Sequence, residues 1–164
     1  MAATLFLAFG RPAPVAAQGS MDAADKKALV DYKLTLEKVD KIGSVCKKVV
    51  EAAKTDPQIG KEMQALKEDQ NGTFEEIDAV FNKRAPHVLT IIKGEGLEPR
   101  EYMLGLLSTM FARMAAGVKA SGATDVPDFI PSANIELAEK NKAKFDEANK
   151  AIGDMDAVGR PPGL

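Results

Sequence analysis

Apolar side chains recur at intervals of three and four residues through most of the chain, the spacing of amphipathic α-helices. No stretch shows the sustained alternation that indicates a β-strand. The first such pattern runs from about residue 22 to residue 54 and predicts one long N-terminal helix. Its apolar stripe consists of Leu29, Tyr32, Leu36, Val39, Ile42, Cys46 and Val49.

Shorter helices are expected between residues 57 and 94. Asp56 and Pro57 are a typical helix start, because the carboxylate caps free amides and proline suits the first helical position. Thr73 and Glu76 have the spacing of a capping box. Pro86 opens a further short apolar segment. The last helix is predicted from about residue 132 to residue 152, followed by a flexible tail over residues 154–164.

The segment from Pro99 to Ala120 is the most apolar helix of the chain. Between Tyr102 and Val118 its only charged residue is Arg113. A helix that is apolar nearly all round belongs inside a helical assembly or against a partner. One face carries three methionines and a leucine, namely Met103, Leu107, Met110 and Met114.

These patterns predict an all-α fold with one domain over residues 18–153. No internal repeat or linker divides it. Three longer helices and several short ones suggest an irregular antiparallel bundle of four to five helices, one of them long and N-terminal.

The N-terminal residues resemble an export signal. Residues 2–9 are mostly apolar, and Val15 and Ala17 fit the small positions before a signal-peptidase site. We therefore expect residues 1–17 to be a signal peptide and the protein to be periplasmic or secreted. The basic region that normally opens such a signal is missing, so a start placed too late and a disordered cytosolic tail are the alternatives.

The amino-acid composition excludes several classes of function and of site. The chain has 22 basic and 24 acidic residues, without the basic excess typical of nucleic-acid binding. It has one cysteine and one histidine, which excludes an internal disulfide and any metal site built from several such residues. Arg113, the mid-helix charge, also argues against a transmembrane span. We predict no metal, no cofactor and no catalytic residue.

Two single residues carry minor chemical hypotheses. Cys46 is either a reactive thiol, with Lys47 and Lys48 lowering its pKa, or a small apolar residue within the helical stripe. His87 is a candidate axial haem ligand, but no C-x-x-C-H attachment motif is present, so haem stays a minor possibility beside a structural histidine.

The candidate binding residues all lie on the apolar helix: Met103, Leu107, Met110, Phe111, Arg113 and Met114. Methionines fill irregular cores, but they also line adaptable binding surfaces. Arg113 is either at the edge of the fold with its head in water, or in an ion pair, or at a site for an anionic ligand.

Two stretches of the chain resemble exported helical proteins of bacteria with no assigned activity. The first is Gly96 to Tyr102 together with the apolar helix that follows, and the second is Ile130 to Ile135. The resemblance covers about residues 95–150. It implies a bacterial exported helical protein and assigns no catalytic residue.

We therefore expect a non-catalytic exported helical protein. The leading hypothesis is an accessory or scaffolding subunit that binds another protein in the cell envelope, at a membrane complex for example. The alternative is a carrier of a small molecule or cofactor, with a pocket between helices near Arg113. The oligomeric state does not follow from the sequence.

Overall fold

The computed structural model describes residues 21–68, 73–123 and 126–159, which form eight α-helices and no β-strand. The all-α prediction is confirmed. The predicted signal peptide lies outside the described residues. The helices are α1 (Ala23–Asp31), α2 (Leu36–Thr55), α3 (Pro57–Glu68), α4 (Ile77–Arg84), α5 (Pro86–Gly94), α6 (Pro99–Ala120), α7 (Ser132–Lys140) and α8 (Lys142–Asp156).

The predicted long N-terminal helix is wrong, because the chain leaves the helical conformation between α1 and α2. Thr35 starts a new helix by accepting a hydrogen bond from the amide of Lys38. The extended backbone before it is held by Asn134 of α7. The Asn134 amide donates to the carbonyl of Tyr32, and its Oδ1 accepts from the amide of Leu34 at 3.0 Å. The apolar spacing continues across the break, so periodicity alone did not reveal it.

The predicted last helix is also divided, at Asn141, whose backbone is not helical. The side-chain amide of Asn141 donates to the carbonyl of Leu137 and so closes the end of α7. These two breaks are the main reason that the described part of the chain has more than the four to five helices expected.

The flexible tail predicted from residue 154 is wrong for residues 154–159, which are ordered against the fold. Helix α8 continues to Asp156, and Met155 is buried. The ammonium group of Lys67 on α3 donates to the carbonyls of Asp156 and Val158 and so fixes the chain after α8. Residues 160–164 lie outside the described part of the chain.

Helices α2, α6 and α8 pack against one another. Asp40 pairs with Lys144, and further along both helices Gly43 lies against Ala148, so α2 and α8 run in the same direction. Helix α6 runs opposite to α8. The antiparallel arrangement expected of the irregular bundle therefore does not hold for α2 and α8.

The first half of α6 is enclosed on every side. Residues 102–109 are all buried, and Gly105 allows α2 to approach so closely that an added Cβ would lie 2.5 Å from Ile42 Cδ1. In the second half of α6 only the inward side chains are buried. Among the helices of the described segments, none is long and apolar enough to cross a membrane.

Candidate functional site

The six predicted binding residues of α6 divide between the core and the surface. Met103 and Leu107 are 6% and 2% exposed and belong to the core, so the single contact face predicted from their spacing is wrong at its N-terminal end. Met110 and Phe111 are partly buried, and Met114 is 44% exposed. The same face is buried at the start of α6 and partly exposed at its end, because neighbouring helices enclose only the first half of α6.

An apolar surface remains on the second half of α6. Met110, Phe111, Met114 and Val118 share one side of the helix, since Met110, Met114 and Val118 lie four residues apart and Phe111 lies three residues before Met114. We call these four residues the outer stripe. Met114 is one of two large hydrophobic residues, with Val30 of α1, that are exposed in the described part of the chain.

Two ion pairs join this half of α6 to its neighbouring helices. Arg113 donates through Nε to Asp146 of α8, and Lys119 pairs with Glu139 of α7 at 3.1 Å. The outer stripe is therefore an apolar strip with a charged rim, the composition expected of a small contact surface.

Arg113 has its charge satisfied within the protein. Its side chain is 26% exposed and it contacts Asp146, which corresponds to the ion pair at the edge of the fold. The predicted ligand pocket at Arg113 gains no support from this contact. A cleft does lie beside Phe111, but Arg113 is not among the residues that line it.

Cys46 is fully buried, so its thiol is shielded from solvent. Its Sγ lies 3.6 Å from the hydroxyl of Tyr102, which in turn donates to Sδ of Met155 at 3.2 Å. Burial raises the pKa of Cys46 to about 12, so the nucleophilic thiolate is not formed at neutral pH. The predicted effect of Lys47 and Lys48 fails because both point to solvent while the thiol faces the core.

A buried carboxylate is the most unusual charged group of the fold. Glu62 of α3 is 1% exposed and accepts hydrogen bonds from the amides of His87 and Val88, at 3.0 and 3.1 Å. The imidazole Nδ1 of His87 donates to its other oxygen at 2.5 Å. Because Pro86 has no N–H, these two amides are the first free donors of α5, and the carboxylate caps the positive end of the helix.

The burial of Glu62 was not predicted, although the sequence contains a pattern that indicates it. Glu62 lies at helical spacing between Ile59 and Leu66, next to Met63, and so on the apolar face of α3. A charge on such a face needs a partner in the core. The partners of Glu62 lie at the start of α5, and its contact with the imidazole explains the position of His87 without a haem. The minor haem hypothesis receives no support from it.

The pKa of His87 is raised above its ordinary value of 6.5 by the hydrogen bond and the charge of Glu62. The contact should therefore stabilise the fold fully below pH 6.5 and lose its contribution as pH rises through the raised folded pKa. His87 is the only histidine, so one imidazole resonance in an NMR titration reports it directly. A Glu62→Gln variant should return the pKa toward 6.5. An unchanged pKa in that variant would refute the assigned cause.

Comparisons of the chain with protein-family models, curated proteins and solved structures gave no match. The resemblance to exported helical proteins of bacteria therefore stays a prediction from the sequence.

Proposed function

We propose that the chain is a non-catalytic exported helical-bundle protein that serves as an accessory or scaffolding subunit in the periplasm. It binds another protein of the cell envelope, at a membrane complex for example. The single observation that carries this proposal is the outer stripe, where Met114 is exposed to solvent beside three partly buried apolar side chains.

The composition of the outer stripe suits contact with a protein. Methionine side chains are flexible and polarizable and adapt to different partner shapes. A partner helix or loop that covers Met110 and Met114 would bury apolar area and leave the Arg113–Asp146 pair at the rim, where it affects orientation more than affinity. The side chains exposed here form a modest patch, so the expected contact is small and reversible.

Photocrosslinking in cells tests the proposal. A benzophenone amino acid placed at position 114 should yield a discrete crosslinked adduct in the periplasmic or membrane fraction. The matched control is position 30, because Val30 is exposed to the same extent, 46% against 44%, but lies on α1. Adducts that form equally from both positions would indicate nonspecific capture and contradict a docking surface on α6.

Substitutions at the same two positions measure how much each contributes to the affinity for the partner. Met114→Asp should weaken association with the crosslinked partner by about tenfold, the effect of losing a contact at the centre of an interface. Val30→Asp should leave it unchanged. Both variants change an exposed position, so their thermal unfolding should match that of the parent chain and separate loss of binding from loss of fold.

A further inference from the structure

The sulfur atoms of the chain differ widely in their access to solvent. Cysteine thiolates and methionine thioethers are the groups that peroxides oxidise most readily in proteins. The only cysteine, Cys46, is completely buried. Its raised pKa of about 12 also keeps the thiol protonated at neutral pH. An oxidant dissolved in the surrounding water therefore meets no accessible thiol.

One methionine is far more accessible than the others in the described segments. Met114 is 44% exposed. The remaining methionines of these segments are buried or partly buried: Met21, Met63, Met103, Met110 and Met155. Met155 is protected further, because its Sδ accepts a hydrogen bond from the hydroxyl of Tyr102 at 3.2 Å. Among the described residues, Met114 is therefore the sulfur that a dissolved oxidant reaches first.

We propose that Met114 is a site of reversible oxidation by peroxides, and that its conversion to methionine sulfoxide weakens docking at the outer stripe. In this reaction a lone pair of Sδ attacks one oxygen of hydrogen peroxide. An S–O bond forms and the O–O bond breaks. The leaving hydroxide takes the proton from the transferred oxygen and becomes water. The sulfur loses two electrons and the peroxide gains them.

The effect on docking follows from the polarity of the sulfoxide, and this part of the inference rests on the proposed function. A partner that covers Met114 sulfoxide must remove water from a strong hydrogen-bond acceptor. In the free protein the oxidised side chain stays in water, because position 114 is exposed. Oxidation therefore acts on docking and not on folding. Methionine sulfoxide reductases reverse it, since thiols supply two electrons and the oxygen leaves as water.

Hydrogen peroxide is the probe that tests the modification on the full chain at neutral pH. Trypsin cleaves after Arg113 and so places Met114 in a different peptide from Met110. Mass spectrometry should show that Met114 is oxidised about tenfold faster than the buried Met63 and Met155, since a buried thioether reacts only when the fold opens. Oxidation of Met114 at the same rate as these two would overturn the proposal.

Retention on a phenyl chromatography column measures the change of surface without any partner. The oxidised parent chain should elute earlier than the untreated chain, because an exposed apolar side chain has become polar. Met114→Leu keeps an apolar side chain of similar size, so its retention should not change after the same treatment. Met110→Leu is the matched control, because it removes the thioether one turn away and should shift as the parent chain does. A shift in Met114→Leu as large as that of the parent would contradict the assignment.

Binding of the partner captured from position 114 tests the effect on docking. After removal of the peroxide, the oxidised chain should bind it about tenfold more weakly, as expected for Met114→Asp. A methionine sulfoxide reductase with dithiothreitol should restore binding, and treated Met114→Leu should bind normally. Unchanged binding by the oxidised parent would overturn the regulation. If position 114 captures no partner, the proposed function fails, while the peptide and column measurements still decide whether Met114 is the oxidation site.

Discussion

Replacing Glu62 with alanine is expected to lower the free energy of unfolding by about 3 kcal/mol, because the amides of His87 and Val88 at the start of α5 lose their acceptor together. The carboxylate tolerates burial only through its contacts with the His87 and Val88 amides and the His87 imidazole. Alanine supplies no oxygen, and Ala85, the N-cap residue of α5, makes no side-chain cap hydrogen bond. Equilibrium unfolding in urea, followed by far-UV circular dichroism, measures the loss.

Glu62→Gln and Glu68→Ala make this prediction specific. Glutamine keeps an acceptor oxygen without the charge, so its loss of stability should fall between those of the parent chain and Glu62→Ala. Glu68 lies on the same helix but is exposed, where it accepts a hydrogen bond from Gln64, and its replacement should cost less than about 0.5 kcal/mol. Similar losses for Glu62→Ala and Glu68→Ala would contradict the capping role of Glu62.

The features that follow local rules were predictable from the sequence. The all-α class follows from apolar spacing, and Ile59, Met63 and Leu66 of α3 are buried as that spacing requires. Pro57 and Pro99 begin helices, as proline at a first helical position should. Each of these features depends on residues within a few positions of one another.

The features that depend on distant residues were not predictable in this way. The break after α1 is held by Asn134, about a hundred positions further along the chain. Glu62 is satisfied by a helix that begins at Pro86. Both side chains lie on apolar faces of their own helices, so the sequence shows that they need partners but not which residues supply them.

The candidate site illustrates the same limit. The spacing of Met103, Leu107, Met110 and Met114 correctly places them on one side of a helix. Whether that side meets the core or solvent depends on how far the neighbouring helices extend. They enclose α6 as far as Thr109, so Met103 and Leu107 are core residues and Met114 is exposed. The part of the predicted face that reaches solvent is therefore its C-terminal half.

Replacing Asn134 with alanine is expected to lower the free energy of unfolding by about 2–4 kcal/mol, since both backbone groups that it satisfies become unpaired. Asn134 is 2% exposed, so water does not readily replace its side chain. The carbonyl of Tyr32 and the amide of Leu34 cannot join a helix while the backbone between α1 and α2 is extended. Urea unfolding measures the total loss.

Hydrogen exchange at the amide of Leu34 shows whether the loss of stability in Asn134→Ala begins at the extended segment between α1 and α2. Its protection should fall more than that of amides in the middle of α2. Asn149→Ala is the control, because Asn149 is partly buried and its side-chain amide donates to the carbonyl of Phe145 within its own helix, α8. Equal losses in the two variants would contradict the role of Asn134.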